Sequence, residues 1–318
     1  MRPYAIVDLH CDTLTDCMYN TSTPETDTLN DPNRVLSFAS MPEDVKWAQF
    51  YAVFVKSEYR GEAAVNYFKM NADRFDTQMK KYSGTVSPCR SAADVEKAWS
   101  EGKRAAMLTV EDGLALGGRA ENVEYLKNRG VVCMGLVWNE ENELASGHDT
   151  ENGLSAFGKQ VIGELERCGI IVDVSHLNDR GFYELLDAAE KPFAATHSNA
   201  RSVCAHKRNL TDDMIRHMVE RKCIIGLNYY INFLDDNGKA DNPDFLYRHI
   251  SRFLELGGEN CLALGSDYDG CDLPEFMKTP EKVALFYDYL LSRGISEDIA
   301  DKIYWKNALD FLRTNLAD

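Results

Sequence analysis

A histidine and an aspartate two residues apart, His10 and Asp12, end an apolar run that begins Tyr4-Ala5-Ile6-Val7. Side chains alternate faces along an extended strand, so these two project together. An imidazole and a carboxylate so placed can share one metal ion such as Zn2+. They can equally form a hydrogen-bonded pair with no metal. Four further apolar runs end in the same way. Ala105–Val110 runs into Glu111, and Ile170–Val174 runs through Ser175 into His176. Phe193–Thr196 runs into His197, and Cys261–Gly265 runs through Ser266 into Asp267. Three histidines and three acids at five strand ends point to a metal centre rather than to structural polar caps. Six donors exceed one tetrahedral zinc and suit two ions that share a carboxylate. Paired ions about 3.5–4 Å apart polarise a substrate oxygen and acidify a bridging water. Imidazole and carboxylate donors without thiolate favour Zn2+, with Mn2+ or Co2+ as alternatives.

The other candidates are weaker. Alternation turns Cys11 away from its neighbours His10 and Asp12, so it is expected to pack between barrel and helices. His148 falls in a polar loop and is expected to be solvated. His217 and His249 lie in helical patterns, on the surface or in the core. His206 has no clear placement. Arg208, in Cys204-Ala205-His206-Lys207-Arg208-Asn209, is either a solvated loop cation or a guanidinium fork for a substrate carboxylate.

Eight strands are predicted to carry these residues: Tyr4–Leu9, Ala48–Val55, Ala105–Val110, Val131–Val137, Ile170–Val174, Phe193–Thr196, Cys223–Asn228 and Cys261–Gly265. Helical patterns lie between them, clearest over Ala92–Glu101, Ala156–Arg167, Asp179–Ala189, Thr211–Arg221, Asp244–Leu256, Glu281–Ser292 and Ser296–Thr314. Thr211 and Ser296 are good N-caps. The strands are apolar on both faces, as in a covered parallel sheet. Eight strand–helix alternations suggest one (β/α)8 TIM barrel over residues 1–318, with an open doubly wound sheet as the alternative. No Gly-x-Gly-x-x-Gly follows the first strand, which removes the usual dinucleotide signature. Two long polar loops, Tyr19–Asn33 and Asn139–Ser155, are placed to cover a site.

The 318 residues, 44% hydrophobic, suffice for a large core. A net charge of −16 argues against nucleic acid or an anionic membrane surface as partner. Nine cysteines, an odd number with no Cys-x-x-Cys, suggest a reducing cytoplasm. The N-terminus does not read as a signal peptide, and no apolar run reaches the roughly 20 residues that span a bilayer.

Val7–Asp12, Val110–Gly113, Gly153–Gly158, Val172–His176, Thr196–Ser198 and Gly265–Gly270 together resemble the renal (membrane) dipeptidase family of zinc peptidases, in order along essentially the whole chain. The resemblance implies an amidohydrolase-type barrel with a binuclear zinc site that hydrolyses dipeptides through a metal-bridging hydroxide. It places His10 and Asp12 on one zinc, His176 and His197 on the other, and Glu111 between them. Asp267 would carry the proton and Arg208, eleven residues after His197, would bind the dipeptide carboxylate. Tyr230 matches an aromatic residue near the substrate. The family tolerates a D-residue at the C-terminal position, and its members are often dimers. One departure stands out. Where better-known members carry a histidine thought to steady the oxyanion, this chain has Trp138, followed by Asn139. An indole N–H donates one hydrogen bond but carries no proton. Either residue substitutes, or the substrate differs. Two rival readings remain: hydrolysis of an N-acyl amino acid or lactone on the same site, and a metal-binding protein that has lost catalysis. The chain is similar to the soluble microbial type.

Overall fold

Continuous burial on both faces forces the strands into a sheet covered on each side. All four residues of β1 (Ala5–Asp8) are buried, and so are eight of the nine in β2 (Lys46–Phe54). The computed structural model describes residues 1–15 and 28–316. The remaining strands are β3 (Val86–Pro88), β4 (Arg104–Glu111), β5 (Val131–Gly135), β6 (Ile171–Asp173), β7 (Ala194–Ala195), β8 (Ile224–Leu227) and β9 (Leu262–Leu264). All are parallel, in the order β2-β1-β9-β8-β7-β6-β5-β4, and a β2–β4 ladder from Ala48↔Ala105 to Phe54↔Glu111 closes the ring. The eight predicted strands therefore form the expected barrel.

β3 lies outside the expected set. It pairs with the start of β4, while β5 takes the later part of β4 from Leu108 onward. Because β2 occupies one edge of β4, these two short ladders share the other.

The connections hold α1 (Glu62–Lys81), α2 (Ala92–Ser100), α3 (Asn122–Asn128), α4 (Ala156–Cys168), α5 (Asp179–Ala188), α6 (Asp212–Glu220), α7 (Ile231–Leu234), α8 (Asp244–Glu255), α9 (Pro280–Ser292), α10 (Glu297–Asp301) and α11 (Asn307–Asn315). A π-helical turn, Lys302–Lys306, joins the last two into the one long pattern read from sequence. Helix starts are fixed by side chains that accept the otherwise unpaired N–H groups of the first turn. Thr211 accepts from Met214 and Ser296 from Ile299, as expected, and Ser155 accepts from Gly158. Successive strand residues enter different apolar clusters. Ala5, Val7 and Leu9 pack with α2 and α11, whereas Ile6 joins the larger cluster that includes α1 and α9.

Among the described residues no helix is long and apolar enough to cross a membrane. The eight described cysteines are free, and Cys17 lies outside the described residues. Residues 19–27 of the first long loop also lie outside them.

Candidate active site

The C-terminal ends of the strands converge, and aspartates at their roots aim the side chains that follow. Asp8 Oδ1 accepts the N–H groups of His10 (3.2 Å) and Ser266 (2.9 Å), so the ends of β1 and β9 share one anchor. Asp173 Oδ1 does the same for Ser175 and Thr196, both at 2.9 Å, joining β6 to β7. Asp112 accepts from the backbone of Leu114 (2.9 Å) and Trp138 (3.0 Å), joining β4 to β5. The chain kinks where it must present a functional group. His176 (φ 72°), Asp267 (φ 62°) and Asp112 (φ 78°) all adopt left-handed backbone, a conformation that costs about 1–3 kcal/mol and clusters at working sites.

His10, Asp12, Glu111, His176, His197 and Asp267 meet in one cluster. A bridge between Cys11 and Tyr268 extends β1 beyond its end, keeping His10 and Asp12 on one side, with His10 Nε2 3.4 Å from Asp12 Oδ2. Cys11 is fully buried in the larger apolar cluster, as alternation predicts. The two oxygens of Glu111 face different groups. Oε2 is 3.7 Å from His10 Nε2, while Oε1 is 2.9 Å from His176 Nε2 and 3.7 Å from His197 Nε2. Asp267 Oδ1 is 3.9 Å from His10 Nε2. The other side of each imidazole is fixed. His176 Nδ1 donates to Asn139 Oδ1 at 2.7 Å, and His197 Nδ1 donates to Thr196 Oγ1 at 2.8 Å, whose hydroxyl donates in turn to Asp173. Both tautomers thereby turn an Nε2 lone pair toward the cluster, where the two Nε2 atoms lie 3.0 Å apart, the arrangement seen around metal-ligating histidines.

The electrostatics of the cluster are those of a cation site. Burial, reinforced by neighbouring Asp12, raises the carboxyl pKa of Glu111. Burial raises that of Asp267 as well. Burial works to discharge His10, but Glu111 and Asp12 overcome it and push its pKa up to about 10. His176 and His197 move the other way, held neutral by burial and by nearby positive charge. His10 Nε2 and Asp12 Oδ1 are buried with no hydrogen-bond partner among the described residues. Two sets, His10–Glu111–His197 and His10–Asp12–Asp267, each bring three ligand atoms within 4.8 Å of one another. Buried carboxylates facing imidazole lone pairs call for positive charge between them, so these residues fit divalent metal.

Above the cluster lies a cavity of about 590 Å3 with Asp12, Glu111 and Asp267 in its floor and Phe54, Trp138, Tyr230 and Phe233 in its walls. Trp138 packs edge-on against Phe54 with ring centroids 5.0 Å apart. Asn139 also lines the cavity, but its side-chain oxygen is committed to His176, making it a positioning residue. Tyr230 Oη accepts from Asn232 Nδ2. Arg208 is no solvated loop cation. It is 4% exposed, its Nη1 donates to Ser198 Oγ at 2.8 Å, and its Nε and Nη2 lack partners among the described residues.

Two site residues escaped the sequence reading. Asn228, just past β8, donates from Nδ2 to Asp267 Oδ2 at 2.9 Å and fixes that carboxylate. Its place at a strand end was the available signal. His148 is the correction. Its side chain is only 9% exposed, and it lines the cavity beside His206. A folded loop, not solvent, surrounds it. Of the other two histidines, His217 is on the surface and His249 is fully buried.

Comparison with known proteins bears on the family and the fold. The family model for membrane dipeptidases, peptidase family M19, matches residues 1–317. A Klebsiella pneumoniae protein described as an uncharacterized protein in the pqqA 5′ region is 31% identical over 242 residues, 73% of this chain and 89% of that protein. The structure of a dipeptidase described as a family M19 metallo peptidase superposes with a TM-score of 0.92 at 25% identity, covering 99% of this chain and 100% of the other. A Rhodobacter sphaeroides metallo peptidase, solved with a phosphinate mimic of L-Ala-D-Ala, shares the fold with a TM-score of 0.92 at 24% identity, over 99% and 100% of the chains.

Proposed function

The chain belongs to the membrane dipeptidase family, a family of metallo-dipeptidases, and on that footing we propose that it hydrolyses dipeptides, including those with a C-terminal D-residue, using two zinc ions. The observation that carries this reading is the divided Glu111 carboxylate, one oxygen toward His10 and the other toward His176 and His197. His10 and Asp12 would hold one ion, His176 and His197 the other, with Glu111 shared. Bound ions supply Lewis acidity, which polarises the scissile carbonyl and brings water to its hydroxide form near neutral pH.

The chain's own groups do the rest. Asp267, fixed at Oδ2 by Asn228, takes the proton from the attacking water and returns it to the leaving amine. Arg208 offers Nε and Nη2 as a fork for the substrate carboxylate, which sets substrate length. Phe54, Trp138 and Tyr230 supply apolar lining to the cavity that would take the substrate. The L-Ala-D-Ala mimic held by the Rhodobacter protein supports the D-residue part of the reading. Cys271 also lines the cavity, but burial pushes its thiol pKa well up and it donates to Asp267 O, so it is not offered as a thiolate ligand.

The test is hydrolysis of L-Xaa-L-Xaa and L-Xaa-D-Xaa dipeptides by zinc-loaded protein beside a chelated control. Metal-dependent release of amino acids is expected. No release from protein carrying its metal would overturn the reading.

A further inference from the structure

His148 has a defined position without a task inside the protein. Its Nδ1 is buried with no partner among the described residues, and its Nε2 is 3.6 Å from Asp149 Oδ1, outside hydrogen-bond reach. Its ring stands 5.9 Å from that of His176 and 5.9 Å from that of His206. In either protonation state the imidazole carries at least one donor N–H.

The loop holds it there firmly. An added Cβ at Gly147 would lie 1.9 Å from Trp138 O, so only glycine lets the loop press against the Trp138–Asn139 backbone. Gly147 N–H donates to Glu140 O at 2.7 Å and Asp149 N–H to Asn139 O at 3.0 Å. Asn178 Nδ2 ties down the carbonyls of Thr150 (2.8 Å) and Asn152 (2.6 Å) from the far side. A buried imidazole with an unpartnered nitrogen on a pinned loop, facing the same cavity region as a guanidinium with two free donors, is arranged to meet an anionic ligand group.

Resting on the dipeptidase reading, we infer that His148 contacts substrate, donating a hydrogen bond to the C-terminal carboxylate that Arg208 receives. The alternative target for its N–H is the oxyanion that forms at the scissile carbon. His206, whose ring stands 5.9 Å from that of His148, accepts the backbone N–H of Arg208 at 3.2 Å; this places His148 toward the Arg208 side of the cavity and favours the carboxylate.

Two phosphinate dipeptide analogues distinguish these targets, one with the C-terminal carboxylate and one with hydrogen in its place. Binding to zinc-loaded wild type, His148→Phe and His148→Gln is measured by calorimetry, with metal content checked for each. A hydrogen bond to a charged group is worth about 1.5–3 kcal/mol. His148→Phe should therefore lose about 10- to 100-fold in affinity for the carboxylate analogue, with Gln restoring part of the loss. Its affinity for the other analogue should stay within about threefold. In turnover, KM should rise with kcat little changed. Equal losses for both analogues, or a fall in kcat alone, would overturn the carboxylate assignment. So would unchanged affinity for both. If wild type with full metal bound neither analogue, the dipeptidase reading itself would fail, a result distinct from these.

Discussion

Gly270 follows the Asp267 kink, and its backbone is not left-handed, so alanine there meets no conformational barrier. The barrier is contact. A Cβ at this position would lie 2.0 Å from Asp12 Oδ2 and 2.7 Å from Asp267 Oδ1. Ordinary contact begins near 3.4 Å, so in Gly270→Ala the Asp12 carboxylate must withdraw by about 1.4 Å or the turn must shift by as much. Misplacing a catalytic group by about 1 Å can cost about 10²-fold, and overpacking costs about 1–3 kcal/mol. Turnover of the best dipeptide should fall at least about 100-fold, the metal should be held more weakly, and melting should drop by several degrees. Gly163→Ala is the control. Gly163 is exposed within α4, with nothing within 4 Å of the added methyl, so stability should rise by about 0.5–1 kcal/mol without change in turnover. Steady-state kinetics, metal analysis and thermal melts of both variants suffice. Gly270→Ala with wild-type turnover and full metal content would refute the contact argument.

Asp267→Asn should lower kcat by about 10²–10⁴-fold while leaving metal content near that of wild type. Retained turnover would remove Asp267 from proton transfer. Asn139→Ala releases His176 Nδ1 and should weaken metal affinity by about 10–100-fold, read by competition with a chelator; unchanged affinity would show that the 2.7 Å contact does not orient the ring. His249 is buried, receives Ala200 N–H and faces Leu234 O, and burial pushes its pKa down to about 4. The unfolded chain takes up this proton as pH falls below about 6.5 and the folded chain does not. Stability is therefore lost between about pH 6.5 and 4, by up to about 3 kcal/mol from this residue. The acid limb of melting temperature against pH should be shallower in His249→Gln; parallel limbs would contradict the assignment.

The barrel was legible because strands buried on both faces leave continuous apolar runs, and the metal candidates stood at their ends. Elements without that signal were not. The five buried apolar residues of α1, Ala64, Phe68, Ala72, Phe75 and Met79, are diluted by charged neighbours across 20 residues. β3 is three residues long and ends in Pro88. His148 reads as a loop residue because its burial depends on Gly147 meeting the backbone of Trp138, nine positions earlier, a contact with no periodicity. Asn139 could be marked as polar near the site, but not as the partner of His176, because that requires the relative heights of β5 and β6. Residue type left Arg208 between a solvated cation and a carboxylate fork, the family resemblance pointed to the fork, and only the fold shows its burial.

The aspartates at the strand roots separate two kinds of change. Asp8, Asp112 and Asp173 hold the backbone at the base of each loop, below the residues that meet substrate. The part of loop 139–155 beyond Asn139, which holds His176, and Asn142, which holds Asp112, can therefore be rewritten while the cluster beneath keeps its shape. Selection can try new pockets without dismantling the reactive floor. A chain of this design can exchange one small amide for another through loop drift, with its hydrolytic chemistry inherited intact.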